Sequence, residues 1–412
     1  MTRGLSEKGP AAIIQPVFAG IVAALTGFAS SFVLVIAGLH AVGANDTQAA
    51  SGLLALCLLV GLSCIVLPWY FKMPISFAWS TPGAALLVAA GSTTNNFGAA
   101  VGAFLVCGVL IVLTGLWPAL GRAITSIPKP IASAMLAGIL FPICLAPVHA
   151  AVEQPLLALP VIVVWLVLLR FAPRWAVPAA MVVAAIGIAL TAGTAWLTSP
   201  AAQPALVFTA PIFDPLVIVS LGLPLFIVTM AGQNVPGFVV MSTFGYRPPP
   251  QPILIGTGIA TAAGSLFGAH AINLAAITAA LMASPEAHPD KSRRWIATVT
   301  SGVAYLILGL GAGFAAALVA ASPPILIVAV AGLALLGALV TSLTGAFEDP
   351  HHRITAIAVF LVTASGIAVL GIGSAFWGLV VGGIVMVWLN VGRHTPDRHN
   401  DQDQSAGELV EP

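Results

Sequence analysis

The sequence predicts an all-α polytopic membrane protein, with about 14 transmembrane spans arranged as two inverted seven-span repeats. First, 59% of its 412 residues are hydrophobic and only 7% are charged, whereas about a quarter of the residues in soluble domains are charged. Second, apolar runs follow one another along almost the whole chain. Third, two of these runs are short, are bordered by Pro or Gly, and occupy matching places in the two halves, which is typical of inverted-repeat membrane folds.

Each crossing needs about 20 apolar residues, and the runs that meet this need are separated by short polar loops. The first run is interpreted as a helix and not as a signal peptide, because no small-residue cleavage site follows it. The predicted spans lie at about 12–37, 48–68, 75–90, 98–117, 131–148, 156–170, 176–198, 215–240, 252–268, 270–283, 295–318, 325–345, 354–371 and 374–392.

The two short spans, 75–90 and 270–283, cannot cross about 30 Å of hydrocarbon as regular helices. They are predicted to be half-helices, spans 3 and 10, whose N-termini lie at the membrane midplane. A division near residue 205 gives a first repeat, 1–205, and a second, 206–395. An odd number of spans in each repeat forces the second to run inverted. The polar segment 396–412 is predicted to be a disordered cytoplasmic tail.

The positions of the charges indicate orientation and exclude several functions. With these spans, all fourteen Lys and Arg residues fall in the termini or in alternate loops, so both termini are predicted to be cytoplasmic in a multi-pass protein of a bacterial-type inner membrane. All thirteen Asp and Glu residues lie in loops, at span ends or in the tails. Walker A, HExxH and CxxC motifs are absent from the sequence, so we expect no ATP-driven transport, no enzyme activity, no metal and no cofactor. Nothing supports nucleic-acid binding.

Polar uncharged residues in the broken regions are the candidate binding site. A half-helix that begins inside the membrane leaves its first N–H groups unpaired and presents a positive dipole end, which attracts an anion without a buried Lys or Arg. Phe28, Phe77, Trp79 and Phe267 could supply an apolar wall. The alternative for each polar side chain is a hydrogen bond to a neighbouring helix. The polar candidates are Ser76, Trp79, Ser80, Thr81, Gln233, Asn234, His270, Asn273 and Thr278.

Two ionisable residues are candidates for carrying a proton. His270 is a histidine within a predicted span, and intramembrane ionisable groups are functional candidates by default. The alternative is that it lies at the membrane surface. Glu286 lies in the predicted cytoplasmic loop Ser284–Lys291, where it could bind a proton or could belong to a solvated turn.

Several blocks of the chain closely resemble the BenE-type benzoate:proton symporter family, and the resemblance covers about 11–392. It implies a secondary transporter that imports benzoate or a related aromatic carboxylate with a proton, by alternating access, and it makes a homodimer an expectation. The blocks are AWSTPGAALLV at 78–88, AMLAGIL at 134–140, LPLFIVTM at 223–230, AAITAA at 275–280, SPEAHPDK at 284–291, FLVTASG at 360–366 and GIGSAFWG at 371–378.

This family is in turn similar to the uracil permeases, which have seven-plus-seven inverted repeats, a core domain and a gate domain. The similarity implies a core from about 12–117 and 215–318, and a gate from about 131–198 and 325–392. The segment Ser76–Pro82 resembles the third span of those permeases.

The same similarity assigns individual binding residues. It places the ligand-binding phenylalanine amide on Phe77, a substrate-binding glutamate on His270 with its glycine on Ala269, and a second glutamate on Gly232 or Gln233. The absence of both acids fits an anionic substrate, because a buried carboxylate would repel another. It leaves three proton carriers open: His270, Glu286, or the substrate crossing as its own protonated acid.

Two other functions remain as alternatives. One is a carrier of the same fold for another anion or for a nucleobase. The other is an anion channel, which would pass current without accumulating solute.

Overall fold

The computed structural model describes residues 11–92, 94–125, 127–192 and 202–390, most of them helical. The helices of the first half are α1 (Ala11–Ala41), α2 (Asp46–Phe71), α3 (Thr81–Ala89), α4 (Phe97–Leu116), α5 (Pro118–Thr125), α6 (Lys129–Glu153), α7 (Pro155–Phe171) and α8 (Pro173–Ala192). Those of the second half are α9 (Pro215–Val217), α10 (Leu223–Thr229), α11 (Val235–Thr243), α12 (Pro250–Ser265), α13 (Ala276–Ala283), α14 (Trp295–Leu310), α15 (Ala312–Ala320), α16 (Pro324–Phe347), α17 (Arg353–Ala364) and α18 (Ser374–Asn390).

Helix length and composition identify a membrane protein. Helices α9 to α11 form one continuous rod, Pro215–Thr243, through two π-helical stretches at Ile218–Gly222 and Met230–Asn234. Together with α14 and α15, which bend by 52° at a break between them, up to seven described helices are long and apolar enough to cross a bilayer. The six unbroken ones are Ile14–Ala41, Asp46–Phe71, Phe97–Leu116, Lys129–Glu153, Pro215–Thr243 and Pro324–Phe347.

A small sheet corrects the all-α prediction. Strands β1 (Phe77–Trp79) and β2 (Ile272–Leu274) pair antiparallel, with Ala78 opposite Asn273. Each predicted short span is therefore a strand followed by a short helix, α3 or α13. Triplets such as Phe-Ala-Trp are too short to show a strand period in the sequence. Their backbone groups need partners away from water, and the two extended segments supply them to each other.

The strand pairing has a two-fold pattern that separates the starts of α3 and α13. The Ser80 N–H donates to the Ala271 carbonyl at 2.8 Å, and the Ala275 N–H donates to the Ser76 carbonyl at 2.9 Å. Helix α3 therefore begins at one end of the ladder and α13 at the other, four strand residues or about 13 Å away. The two helices run apart from the paired strands.

Helix α17 corrects a second prediction. The span predicted at 354–371 is helical only as far as Ala364. Beyond it, Gly366, Leu370 and Gly371 have φ values of 65°, 55° and 79°, which a right-handed helix does not accommodate. The short helix α5 lies in a predicted loop. The predicted disordered tail, 396–412, lies outside the described residues.

The helices pack in two groups. In the first helix group, α1 and α2 pack on α14 and α4 packs on α12, around α3 and α13. In the second helix group, α6 packs on α16 and α17, α7 on α8, and α17 on α18. Small residues allow close crossings within each group: a Cβ at Gly302 would lie 2.6 Å from the Gly61 carbonyl oxygen, and one at Gly332 would overlap the Ile143 carbonyl. Each group is thus tightly packed internally.

Candidate functional site

The start of α3 is closed by its own side chains. Ser80 is the N-cap residue, and its Oγ accepts the Gly83 N–H at 3.1 Å. Pro82 has no N–H, so Thr81 carries the one remaining donor among the first three helical positions. The Thr229 hydroxyl donates to Ser80 Oγ at 3.0 Å from the neighbouring rod. Helix α3 is therefore capped, and its cap is tied to helix α10.

The start of α13 is open. Its N-cap residue is Ala275, which has no side-chain oxygen to accept a hydrogen bond. The first intrahelical bond runs from the Ala279 N–H to the Ala275 carbonyl, so the N–H groups of Ala276, Ile277 and Thr278 have no acceptor within their own helix. Such a terminus combines free donors with a positive dipole end and is suited to an anion.

A glycine of α1 marks the approach to this terminus. A Cβ at Gly27 would lie 4.0 Å from Thr278 Cγ2 and 2.6 Å from the Tyr305 hydroxyl oxygen. Thr278 also shares a hydrogen bond with the Ser76 hydroxyl at 2.9 Å. Helices α1, α13 and α14 therefore meet at Gly27, beside the open end of α13.

A row of aromatic rings runs along the same place. The Phe28 ring stacks on Phe32 at 5.0 Å and meets Trp79 edge to face at 6.1 Å, and Trp79 meets Tyr305 at 5.6 Å. The Trp79 indole N–H donates to Ser31 Oγ at 2.9 Å. Since the polar edge of Trp79 is bonded within the protein, the row presents an apolar wall.

The buried amides bind the strands. Asn234 Oδ1 accepts the Leu274 N–H at 2.9 Å. With its amide oriented to satisfy both groups, Asn273 donates to the Leu274 carbonyl at 2.8 Å and accepts the Ser80 N–H at 3.2 Å. Ser80, Asn234 and Asn273 are completely buried. Asn273 thus connects the start of α3 to Leu274, whereas Asn234 bonds Leu274 itself, one residue before the N-cap of α13.

Gln233 is in a different environment from its neighbour Asn234. It lies in the π-helical stretch Met230–Asn234, is half-buried, and has no side-chain hydrogen bond among the described residues. A Cβ on the adjacent Gly232 would meet only Leu136 of α6, at 3.8 Å. Gln233 therefore stands where the rod passes α6 of the second helix group, and π-helical stretches are frequent at functional sites.

The residues assigned by similarity to uracil permeases lie at both ends of the ladder. Phe77 is at the α13 end, opposite Leu274. The Phe77 N–H donates to Cys64 Sγ of α2 at 3.4 Å. At the opposite end of the ladder, the Ala269 N–H donates to the Gly264 carbonyl at 3.0 Å, and the buried His270 accepts the Ala271 N–H on Nδ1 at 2.6 Å. His270 Nε2 has no hydrogen-bond partner among the described residues.

Glu286 lies beyond the far end of α13. Helix α13 has eight residues and is about 12 Å long, which separates the loop from the open terminus. Arg294 holds this loop by donating to the Ala283 and His288 carbonyls at 2.6 and 2.7 Å. In the same loop, hydrogen bonds from the Ser292 hydroxyl and N–H lower the pKa of Asp290, so this carboxyl stays charged at neutral pH.

Tyr305 and Gly27 belong to this candidate site but were not predicted from the sequence. A single tyrosine in an apolar run carries little signal by itself. The sequence feature that could have singled out Tyr305 is its spacing from Thr298 and Ser301, which places the three hydroxyl residues on one face of α14. Elsewhere in the described ranges, His, Cys, Asp and Glu form no group of three or more that could hold a metal ion.

Known sequences show where the chain belongs. The family model described as BenE, benzoate membrane transport protein, matches residues 11–388. An inner membrane protein of Escherichia coli, YdcO, is 41% identical over 90% of this chain and 95% of its own length. A benzoate membrane transport protein of Acinetobacter baylyi is 31% identical over 90% of this chain and 93% of its own length.

Solved structures show the fold. The transmembrane domain of the cyanobacterial bicarbonate transporter BicA superposes with a TM-score of 0.56 at 17% identity, covering 90% of this chain and 97% of that one. The murine anion transporter Slc26a9, in its inward-facing state, gives a TM-score of 0.60 at 14% identity, covering 95% of this chain and 73% of that one. The chain thus shares the inverted-repeat fold of these transporters.

Proposed function

The chain belongs to the BenE family of benzoate membrane transport proteins, and we propose that it imports benzoate or a related aromatic carboxylate together with a proton. The observation that carries this proposal is the open start of α13 beside a row of aromatic rings. A carboxylate and a flat apolar ring are the two chemical features that such a place can recognise. Transport, and not catalysis, is the role that the family and the fold indicate.

In this proposal the carboxylate accepts hydrogen bonds from the N–H groups of Ala276, Ile277 and Thr278. The ring lies against Phe28 and Trp79. Backbone donors suit a membrane site, because a Lys or Arg at the centre of a spanning helix costs about 2.5–3.5 kcal/mol on insertion scales. The donors at the start of α13 bind an anion without that cost.

The transport cycle follows from the two helix groups. We place about 14 spans in the membrane, with α3 and α13 as half-helices that begin near the midplane and with both termini in the cytoplasm. The first helix group is the core that holds the substrate, and the second is the gate. Close glycine crossings within each group support rigid motion of that group, and Gly232 of the rod stands next to Leu136 of the second helix group. Alternating access is the sliding of one group against the other.

The proton has three candidate carriers. His270 lies at the α3 end of the ladder and Glu286 lies beyond α13, so neither is next to the proposed carboxylate position. The third carrier is the substrate itself, as its protonated acid. Uptake by the variants His270→Gln and Glu286→Gln distinguishes the three carriers. If one of these residues carries the proton, uptake by its variant should no longer depend on a proton gradient.

Uptake of radiolabelled benzoate into proteoliposomes tests the proposal. An inward proton gradient is imposed and then collapsed with an ionophore, and empty liposomes are subtracted for passive leak of the neutral acid. We expect saturable accumulation that disappears with the gradient. Saturable exchange indifferent to the gradient would contradict the proton coupling. No uptake above empty liposomes would contradict benzoate as substrate.

Competition in the same assay addresses the other candidate function. An open helix terminus would also accept an inorganic anion, and the fold is that of a bicarbonate transporter and an anion transporter. Unlabelled benzoate should compete, while bicarbonate, sulfate and uracil should not. Electrical current carried by chloride or bicarbonate without accumulation would favour a channel.

A further inference from the structure

Tyr305 is a buried tyrosine with an unused hydroxyl. Its side chain is 3% exposed, and its ring packs on Trp79. Among the described residues, its hydroxyl has no hydrogen-bond partner. Buried tyrosine hydroxyls are usually hydrogen-bonded, because an unpaired polar group away from water is costly. The Tyr305 oxygen is not among the fully enclosed polar atoms that lack a partner, so part of its surface stays accessible and a ligand can approach it.

The hydroxyl lies near the side chain of Thr278 in the first turn of α13. The point 2.6 Å from Tyr305 Oη, where a Cβ of Gly27 would stand, is 4.0 Å from Thr278 Cγ2. The Gly27 carbonyl does not pair with the phenol, since it accepts the hydroxyls of Ser30 and Ser31 at 3.0 and 2.9 Å. The absence of a side chain at Gly27 leaves room for the phenol group.

We propose that Tyr305 is a substrate-recognition residue whose hydroxyl donates a hydrogen bond to the carboxylate held at the start of α13. This inference rests on the proposed function. The phenol adds a side-chain donor to the backbone donors of Ala276, Ile277 and Thr278, and O–H donors make short, strong bonds to carboxylates. Because the Tyr305 ring continues the aromatic row, its hydroxyl also fixes the carboxylate relative to the plane of the substrate ring. Tyr305 thereby favours a carboxylate joined directly to a flat ring.

Equilibrium binding of radiolabelled benzoate to the purified protein in nanodiscs tests this. Tyr305→Phe should raise the Kd for benzoate by about tenfold to hundredfold, the range expected for losing a hydrogen bond to a charged group. Its melting temperature without ligand should not fall, because the hydroxyl has no partner to lose. Gly27→Ala should also raise the Kd for benzoate, since its methyl would lie 2.6 Å from the Tyr305 oxygen.

Tyr246→Phe is the matched control. Tyr246 is also buried, but its hydroxyl donates to the Lys291 carbonyl at 2.9 Å in a loop away from the site. This variant should change the Kd by less than about twofold. If the wild-type protein binds benzoate and Tyr305→Phe binds it equally well, the role of Tyr305 is overturned while the proposed function stands. If the wild-type protein does not bind benzoate, the proposed function fails and this inference fails with it.

Discussion

The N-termini of α3 and α13 have the same backbone arrangement but are capped differently. Each follows a three-residue strand, and each strand gives the other its backbone hydrogen bonds. At α3, a serine cap and a proline leave one free N–H among the first three positions. At α13, an alanine cap leaves three. One terminus is closed by the protein's own side chains, and the other is open.

This difference separates anchoring from binding. The cap of α3 is bonded through the Ser80 hydroxyl to Thr229 and through the Ser80 N–H to the buried Asn273. The open end of α13 faces Gly27 and the aromatic row. In a two-fold arrangement, a few side chains are thus enough to give one helix start a structural role and to leave the other for a ligand.

The largest effect is expected from removing a donor at α13. Ala276→Pro deletes the first N–H of the helix, a position where proline fits. Ala275 has φ −99° and ψ 100°, an extended conformation that a residue before proline adopts. The Kd for benzoate should rise by about tenfold to hundredfold, measured by equilibrium binding.

Thr81→Pro is the matched control at α3. It deletes the corresponding N–H, and Ser80 before it is also extended, with φ −71° and ψ 94°. Because the substrate is placed at α13, this variant should leave the Kd unchanged. An equal loss of affinity in both variants would show that the two termini share the substrate and would break the comparison.

A smaller effect is expected from exchanging the caps. Ala275→Ser gives α13 a cap that competes with the ligand, so benzoate affinity should fall while stability rises by about 0.5–2 kcal/mol. Ser80→Ala removes the cap of α3, so stability should fall by a similar amount, about 0.5–2 kcal/mol, with affinity unchanged. Thermal melting and benzoate binding are measured on both. A rise in affinity for Ala275→Ser would contradict the competition.

Much of the fold could be predicted from the sequence because long apolar runs leave few choices. The predicted spans 48–68 and 325–345 lie inside α2 and α16. The strands were missed, since three residues cannot show a period. The end of α17 was missed because Gly366 and Leu370, whose positive φ values stop the helix, are followed by more apolar sequence.

The site could be predicted less well than the fold. The sequence places Ser80, Asn234 and Asn273 in the broken regions, but whether a polar side chain bonds a ligand or a neighbouring strand depends on contacts between distant segments. Tyr305 comes to the site through the packing of α14 on α1. The spacing of residues along one helix does not show which other helix it packs against.

Amide NMR of the protein labelled with ¹⁵N-threonine tests the central claim most directly. Thr81 and Thr278 report on the starts of α3 and α13, and their resonances can be assigned with Thr81→Ser and Thr278→Ser. Titration with benzoate should shift the Thr278 amide resonance saturably, because its N–H bonds the carboxylate. The Thr81 amide resonance should not shift. A shift of Thr81 with none at Thr278 would contradict the assignment of the binding site to the open end of α13.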